Sequence, residues 1–388
     1  METLKFGNGT WATKEGSTLA YNNENNNFKP LPFTTTRASS ATMVNKQGLV
    51  EVVGQNTPRI DYTNSSNGVF LLEKAATNTL PYSSDFSQYT KINCTVLSNQ
   101  GISPDGTLNA DLMTATANDA SLEDIVGSAG VAVTQSIYVK SANGGNVSGQ
   151  IDFAGSNIVG FIANNEWQRI ESTLTNLAVT PRLRVRITNS GGELLVWGAQ
   201  LESGYMSSYI PTSGSGVSRA ADTANGSGNS EVFNSEEGVL MANIYTENDN
   251  TFNYITLSDG GTSNYCAILI TDTDNEIIFR YYIAGAGVAI TANVNLSQFN
   301  KVLVKYKQND FALWVNGFEL GSSNSGNVHS SNVFTELSYA RGSTNTPFYG
   351  KTKQLQYFDS ALTDSELETL TSWMSFSDMA IDLNYTIQ

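Results

Sequence analysis

His329 is the only histidine of this 388-residue chain, so any Ser-His-Asp or Cys-His centre would have to include it. It lies in a Ser- and Asn-rich stretch, residues 325–330, and no oxyanion-type glycine motif accompanies it. The same count excludes a zinc site made of several histidines, and the two cysteines, Cys94 and Cys266, stand far apart in the sequence. We therefore predict no catalytic residue, no metal site and no cofactor, and we expect His329 to be exposed in a loop.

The acidic segment 272–276 (Asp-Thr-Asp-Asn-Glu) is similar to the start of a calcium loop. The sixth position of that pattern requires glycine, but Ile277 occupies it, and no glutamate follows at the twelfth position. Apolar runs flank the segment, which indicates a hairpin tip where Asp and Asn favour the turn itself. A calcium or sugar contact remains the alternative, so Asp272, Asp274 and Asn275 are candidate glycan contacts.

Cleavage of a sugar polymer requires two carboxylates held across one cleft. Glucanases of the concanavalin A-like fold carry closely alternating acids on one central strand, and the predicted strand 276–282 has a single acid at its edge. The sequence therefore favours a protein that is not an enzyme, although acids from separate strands could still meet. Tyr281 and Tyr282 are neighbours in that strand, so one of them points outward and both are candidate glycan contacts. Trp167, Trp197 and Trp314 lie in apolar strands, and we expect them in the core.

Two series of predicted strands position these residues. Strict alternation over residues 182–187 places three arginines on one face of a strand and the apolar residues on the other. Turn signals recur between the strands at the spacing of a β-sandwich. The first series covers residues 131–139, 149–153, 167–174 and 182–187, and the second covers 253–257, 265–270, 276–282, 301–306 and 311–315.

Short motifs in the first 220 residues run in order from TRASSAT (36–42) and NTPRIDY (56–62) to WGAQLE (197–202) and RAAD (219–222). This series resembles a family of bacteriophage fibre and spike proteins. The resemblance implies a virion structural protein, located in a tail fibre, a head fibre or another part of the particle. None of the matched residues has a catalytic role in that family. The motifs are TRASSAT (36–42), GLVE (48–51), NTPRIDY (56–62), LLE (71–73), TN (77–78), YS (82–83), DF (85–86), WGAQLE (197–202), SYIPT (208–212) and RAAD (219–222).

Three further marks are the strand and Asn-Gly turn LWVNG (313–317), the late strand 350–358, and the stretch SALTDSEL (360–367). Together they resemble laminin-G-like domains of the concanavalin A-like lectin fold. In the last, Thr363 and Glu366 have the spacing of a capping box and predict a short helix with Leu367, Leu370 and Met374 on one side.

These observations predict an all-β protein with two β-sandwiches. Residues 1–81 would form an irregular, β-rich region for virion attachment and oligomerisation, because they contain too little apolar surface to close a core alone. Residues 82–211 would form a jelly roll of the carbohydrate-binding-module type. Pro211 would end its last strand, residues 212–237 would form a Ser/Gly-rich linker, and residues 238–388 would form the concanavalin A-like sandwich.

The composition narrows the possible partners. Lys and Arg number 21 against 36 Asp and Glu, a net charge of −15 without a basic stripe, which disfavours nucleic acid. No apolar run is long enough to span a bilayer, and the N-terminal residues do not resemble a secretory signal. We expect a homo-oligomer, and a trimer in particular, that contacts other virion proteins and host-surface polysaccharide. It would be assembled in the bacterial cytoplasm and released by lysis. A decoration or connector protein without ligand is the alternative, and a polysaccharide depolymerase comes third.

Overall fold

The structure is a computed structural model that describes residues 2–23, 26–127, 129–246, 251–273 and 275–388. Strands account for most of its regular secondary structure, and the predicted all-β fold with two β-sandwiches is confirmed. The chain divides into two compact units. Unit 1 consists of Met1–Ala38, Gln55–Lys74 and Ala221–Gln388, and unit 2 consists of Ser39–Gly54 and Ala75–Ala220. Within the described ranges, no helix combines the length and the apolar composition that a membrane crossing requires.

The strands and helices are numbered along the chain. They are β1 (Glu2–Gly7), β2 (Thr13–Lys14), β3 (Ser17–Asn22), β4 (Lys29–Thr36), β5 (Ala41–Val44), β6 (Val50–Val53), β7 (Arg59–Asp61), β8 (Val69–Leu72), β9 (Ala76–Asn78), β10 (Thr90–Ile92), β11 (Cys94–Ile102), β12 (Leu108–Ala115), β13 (Ala120–Ile125), β14 (Val133–Ser141), β15 (Val147–Phe153), β16 (Ser156–Ala163), β17 (Gln168–Leu174), β18 (Arg182–Ile187), β19 (Glu193–Ser203), β20 (Val217–Arg219), β21 (Thr223–Asn225), β22 (Glu237–Tyr245), β23 (Asn253–Ser258), β24 (Tyr265–Ile270), β25 (Glu276–Ile283), β26 (Ala286–Asn293), β27 (Asn300–Lys307), β28 (Asp310–Val315), β29 (Phe318–Ser323), β30 (Glu336–Ser338), β31 (Gly350–Phe358), α1 (Asp364–Thr371) and α2 (Phe376–Asp382).

Unit 1 is a sandwich of a large and a small antiparallel sheet. The large sheet has the order β21-β4-β3-β1-β31-β22-β27-β28-β29, and the small sheet has the order β26-β25-β24-β23-β30. Because side chains alternate along a strand, Leu240 and Ala242 of β22 point into the core between the sheets, whereas Val239 and Met241 point to the outer face, where α1 packs.

The N-terminal strands belong to this sandwich. β1 pairs with β31 on one side and with β3 on the other, and β4 joins β3 to β21. Phe6, Phe33 and Phe70 therefore lie in the same core as Leu355. The N-terminal strands therefore do not form the separate region that the sequence predicts for residues 1–81. Those residues cannot cover their apolar face alone, and the small sheet covers it.

The predicted linker 212–237 also contributes ordered strands. β20 pairs with β9 in unit 2, β21 pairs with β4 in unit 1, and Ser227 forms a bridge to Leu337. The Ser/Gly-rich residues therefore form short strands and turns rather than a flexible tether. The boundary between the two units lies between Ala220 and Ala221.

A buried ionic cluster joins three segments of unit 1. The guanidinium of Arg59 donates to Glu73 Oε2 at 2.6 Å and to Asp222 Oδ2, and Arg37 Nη1 donates to Asp222 Oδ1 at 3.0 Å. The Arg59 side chain is 0% exposed. Burial acts to lower the pKa of Arg59, but the charges of Asp222 and Glu73 outweigh it and raise that pKa. The cluster fixes the loop before β21 against β7 and β8.

Unit 2 is a jelly roll of two five-stranded sheets with the orders β10-β13-β18-β15-β16 and β11-β12-β19-β14-β17. The predicted alternation in β18 is confirmed, because Leu183, Val185 and Ile187 are buried and the arginines between them are partly exposed. Arg184 and Arg186 both contact the buried carboxylate of Asp152.

The aromatic outer face of the second sheet of unit 2 is covered by the hairpin β5–β6. Val50 and Val44 of the hairpin pack with Trp197, which is 2% exposed, and with Tyr209. Trp197 and Trp314 are buried as predicted, whereas Trp167 is only half-buried and donates from Nε1 to the carbonyl of Ile102 at 3.1 Å. This face therefore serves packing within unit 2.

The predicted capping box opens α1. The backbone N–H of Thr363 donates to Glu366 Oε2 at 2.8 Å, and Leu367 is buried against the large sheet. The prediction for Met374 is wrong, because α1 ends at Thr371 and Met374 is 92% exposed in the connection to α2.

Candidate functional site

A polar row crosses the outer face of the large sheet in unit 1. Gln354 of β31 lies opposite Gly7 of β1 and Asn243 of β22, and Asn243 lies in turn opposite Lys301 of β27. These residues share the face that carries Val239 and Met241, because each is an even number of positions away along its strand or directly opposite. The apolar patch under α1 therefore gives way to amide and ammonium groups at this end of the sheet.

A β-bulge in β31 adds a second cation to this row. Asn243 pairs with Gln354 but the next residue, Ile244, pairs with Thr352, so Lys353 is the extra residue on β31. A bulge of this kind redirects side chains locally. Lys353 Nζ donates to Asp382 Oδ1 and lies 4.0 Å from the centroid of the Phe299 ring.

One wall over this floor comes from two Asn/Gly turns. The backbone N–H of Asn8 donates to the carbonyl of Lys353 at 2.7 Å, and Trp11 Nε1 donates to the carbonyl of Asn67 at 2.9 Å. Gly68 has φ of 70°, and an added Cβ there would lie 2.8 Å from Ile60. The turn 64–68 therefore depends on glycine at that position.

The opposite wall comes from α2 and the connection before it. Trp373 Nε1 donates to Asp382 Oδ2 at 2.9 Å, so one carboxylate holds both Trp373 and Lys353. Lys301 Nζ donates to the carbonyl of Ser372 at 2.6 Å and lies 5.4 Å from the centroid of the Trp373 ring. These contacts fix the half-buried indole at the edge of the floor.

Floor and walls enclose a groove of about 530 Å³, which we call the amide groove. Two lysines face two aspartates, so its charges balance. Its lining residues are Asn8, Gly9, Asn64, Ser65, Ser66, Asn67, Gly68, Asn243, Lys301, Lys353, Gln354, Trp373, Met374, Asp378, Ile381 and Asp382.

Two groups in the floor are held away from water. Asn243 is 5% exposed, and its side-chain Oδ1 has no hydrogen-bond partner among the described residues. A buried acceptor without a donor costs about 1–3 kcal/mol. Burial also lowers the pKa of Lys301, against the opposing charges of Asp382 and Asp378. Asn243 also lines the groove, so a rotation of its amide would present this acceptor to a ligand hydroxyl.

The residues predicted as glycan contacts lie outside this groove. Asp272 is exposed beside the turn before β25, and Asp274 lies outside the described residues. Asn275 is exposed with φ of 62°, and its side chain accepts the N–H of Leu296 at 3.0 Å, so it serves the turn. Tyr281 is 0% exposed in the core, whereas Tyr282 points to the other face and is half-buried. The predicted role of Tyr281 is therefore incompatible with its position.

The predicted exposure of His329 is wrong. The side chain is 7% exposed and packs against Tyr281 and Phe334, because the loop after β29 folds over the edge of the core. His329 Nε2 lies 3.0 Å from the carbonyl oxygen of Tyr282, which only accepts, so the neutral ring carries its proton on Nε2. Burial lowers the pKa of His329 below its ordinary value of 6.5, and the contact with Tyr282 and the charge of Asp259 offset this only in part.

Because the folded chain lowers the pKa of His329, we expect the free energy of unfolding to decrease as the pH falls below 6.5. The unfolded chain then binds a proton that the folded chain still excludes, so protonation favours unfolding. Denaturant unfolding of the parent and of His329→Gln at about pH 7 and about pH 5 measures this, since the glutamine cannot titrate. An equal loss of stability in both proteins would contradict the assignment.

No set of three or more His, Cys, Asp or Glu side chains in the described ranges is arranged to hold a metal ion. The sequence alone also did not reveal the amide groove, because its residues come from separate parts of the chain. Its turns, 7–9 and 64–68, were visible as Asn/Gly clusters, but Asn243, Lys301 and Lys353 lie in ordinary strand patterns with no local mark of a site.

Comparison with known proteins found distant matches among solved structures. No family model matches it, and no curated protein matches it. A carbohydrate-binding module, the Ruminococcus gnavus IT-sialidase CBM40 bound to α2,3-sialyllactose, is 18% identical over 36% of this chain and 83% of its own, with a TM-score of 0.29. Domain 4 of AbnA, a GH43 extracellular arabinanase from Geobacillus stearothermophilus, in complex with arabinotriose, is 12% identical over 44% of this chain and 83% of its own, with a TM-score of 0.34.

A third similar structure, Trypanosoma rangeli sialidase, is 9% identical over 94% of this chain and 67% of its own, with a TM-score of 0.30. At such identities and scores these likenesses leave the ligand of this chain open. The structure defines an all-β protein of two β-sandwich units with a polar groove on the first.

Proposed function

We propose that this chain is a glycan-binding protein whose amide groove holds a neutral stretch of polysaccharide. The observation that carries the proposal is the buried Oδ1 of Asn243, an unsatisfied acceptor in the floor of an open polar groove. When the Asn243 amide rotates toward the groove, a sugar hydroxyl can donate to this oxygen, which would remove the cost of its desolvation.

The rest of the lining suits the same ligand. Amide side chains both donate and accept, as the hydroxyls of a sugar require. The half-buried ring of Trp373 at the groove edge offers an apolar surface for the C–H face of a sugar ring. The balance of Lys301 and Lys353 against Asp378 and Asp382 disfavours a strongly charged ligand in the groove. The volume of about 530 Å³ is in the range of small-molecule sites.

The carboxylates of the groove favour binding without cleavage. Asp378 and Asp382 are four positions apart on α2, so both lie on one wall and on one side of any ligand. Glycoside hydrolysis requires two carboxyl groups that flank the scissile bond. Asp382 is also engaged by Lys353 and Trp373. We therefore propose a binding role for the groove and no turnover.

We also propose that the protein acts in a bacteriophage virion as a homo-oligomeric fibre or spike that contacts host-surface polysaccharide. The ordered motifs of the first 220 residues support this proposal, from TRASSAT at 36–42 to RAAD at 219–222. Many copies on one particle would compensate for weak binding at each groove. Labelling of purified virions with antibodies against this chain is expected to mark an external appendage, and an absence of label would contradict this part.

Trp373→Ala is expected to weaken binding of a neutral host oligosaccharide about tenfold, since it removes the ring beside the floor. Isothermal titration of the full chain measures the dissociation constant. Phe318→Ala is the matched control, because Phe318 is an aromatic residue of the same unit, 71% exposed and outside the groove.

Equal binding by the parent and by Trp373→Ala would contradict the proposed groove. If no member of a panel of neutral oligosaccharides from host surfaces binds the protein, the glycan proposal as a whole is contradicted. It would favour a decoration or connector protein without ligand. Release of reducing ends from a bound polysaccharide would show an enzyme instead.

A further inference from the structure

A second polar cluster lies on the other side of the unit 1 sandwich, on the outer face of the small sheet. It consists of Tyr254 of β23, Tyr265 of β24, Arg280 and Tyr282 of β25, and Arg341 from the turn after β30, and we call it the arginine–tyrosine cluster. The strand residues point away from the core, since their neighbours in sequence point into it.

The two arginines of the cluster meet at one tyrosine. Arg280 Nη1 donates to Tyr254 Oη at 3.1 Å, and the Arg280 guanidinium carbon lies 5.6 Å from the centroid of the Tyr282 ring. The guanidinium carbon of Arg341 lies 5.4 Å from the ring centroid of Tyr265 and 5.8 Å from that of Tyr254. Both cations therefore contact Tyr254, and each contacts the ring of one further tyrosine.

The turn that carries Arg341 is fixed by close backbone packing. Gly342 has φ of 63°, and an added Cβ would lie 2.5 Å from the carbonyl oxygen of Gly261. Ser343 N donates to the carbonyl of Gly260 at 3.2 Å, and Arg341 Nη2 donates to the carbonyl of Thr262 at 2.8 Å. The guanidinium is therefore held in place before any ligand arrives.

Neither arginine of the cluster has an ionic partner among the residues that the structure describes: no carboxylate there lies within 4.0 Å of Arg280 or Arg341. The Nε atoms of both are buried without a hydrogen-bond partner. Two unpaired cations together are unexpected in a chain with a net charge of −15. The acids of the flanking strands are engaged elsewhere, since Asp259 accepts from Asn264 at 2.7 Å and Glu336 accepts from Ser338 at 2.9 Å.

The two arginines also act electrostatically on the neighbouring phenol of Tyr265. Burial raises the pKa of Tyr265, and so does Tyr254, while Arg341 and Arg280 act to lower it. The cluster therefore combines a positive potential with spare donors, since a guanidinium carries five N–H groups and each of these two uses one in the contacts described.

We propose that the arginine–tyrosine cluster is a second ligand site, which binds the carboxylate of an acidic saccharide. A carboxylate accepts charge-assisted hydrogen bonds from guanidinium groups, and their planar geometry favours a paired contact. The half-buried Tyr282 ring beside Arg280 suits the apolar face of the sugar that carries the carboxylate. This site does not depend on the amide groove, because the two lie on outer faces of different sheets of the sandwich.

The test uses sodium glucuronate as the probe and glucose as its neutral counterpart, with the full chain in NMR or calorimetric titration. Glucuronate is expected to bind in the millimolar range and glucose to bind here at least about tenfold more weakly. The double variant Arg280→Gln/Arg341→Gln should lose about tenfold or more in glucuronate affinity, and Arg341→Lys should lose less, since it keeps the charge. Lys307→Gln is the matched control, because Lys307 is an exposed cation of the same unit, and Trp373→Ala should bind glucuronate as the parent does.

Glucuronate binding that is absent, or unchanged in the double variant, would overturn the proposal. If a glutamate-rich peptide competes as well as glucuronate at the same concentration of carboxylate groups, the site does not recognise the sugar. That result would overturn the assignment of the ligand as a saccharide. Thermal unfolding of each variant shows whether the fold is kept, and if the double variant does not fold, Arg341→Gln alone and Arg341→Lys decide the question. Failure of this test leaves the amide groove unaffected, because its assay uses neutral ligands.

Discussion

Replacing Arg59 with methionine is expected to lower the free energy of unfolding of unit 1 by about 3–5 kcal/mol. The Arg59 side chain is 0% exposed and lies between Glu73 and Asp222, which are themselves 13% and 7% exposed. Methionine fills most of the volume but leaves two buried carboxylates with less compensation, and that uncompensated charge is the main cost.

Hydrogen exchange of the full chain under denaturant measures this loss, because peptides from β22 report on unit 1 and peptides from β14 report on unit 2. Lys307→Met is the matched control, since Lys307 forms an exposed ion pair with Glu237 and its removal should leave exchange unchanged. Arg59→Met/Glu73→Gln should recover part of the loss, because it removes one of the orphaned charges. A variant Arg59→Met with parental protection in β22 would contradict this account.

In unit 2, Asp152→Asn is expected to lower the free energy of unfolding by about 3 kcal/mol. The carboxylate of Asp152 is 0% exposed and serves Arg184 and Arg186, whose side chains are 17% and 21% exposed. The amide keeps the shape and can still accept the N–H of Gly155, which lies 2.7 Å from Oδ1, but it leaves two neighbouring guanidiniums without their shared counter-charge. The partial exposure of the arginines places the effect at the lower end of the range for buried pairs.

Asp119→Asn is the control for this change, since Asp119 bonds to Arg186 at 2.9 Å but is 68% exposed. Asparagine also tolerates the positive φ of 57° at that position. Protection of peptides from β14 and β18 should fall in Asp152→Asn and stay near the parental level in Asp119→Asn. Equal effects of the two changes would show that burial of the Asp152 carboxylate carries no special stability.

Much of the local structure was accessible from the sequence. Alternation predicted the buried and exposed faces of residues 182–187, and the spacing of Thr363 and Glu366 predicted the start of α1. Both depend on neighbours within a few positions, where side-chain direction follows from backbone geometry. The prediction for His329 failed because a Ser/Asn-rich composition describes the loop but not the core surface on which that loop rests.

The two candidate sites could not be predicted in the same way. Strand patterns in a sequence show which residues alternate, but not which strand pairs with which. Lys353 and Gln354 reach the amide groove only because β31 pairs with both β1 and β22, and Arg341 reaches Tyr254 only because β30 pairs with β23. Tyr282 was singled out from the sequence, but its arginine neighbours were not.

The amino-acid sequence by itself determined the all-β class, the faces of individual strands and the N-terminal cap of α1, because these follow from periodicity and local hydrogen bonding. The tertiary structure alone decided that the N-terminal strands complete the C-terminal sandwich and that the polar row on β1, β31, β22 and β27 forms a groove. The physical reason is that strand pairing is chosen by long-range burial and free hydrogen-bonding edges, which leave no mark at any single position of the chain.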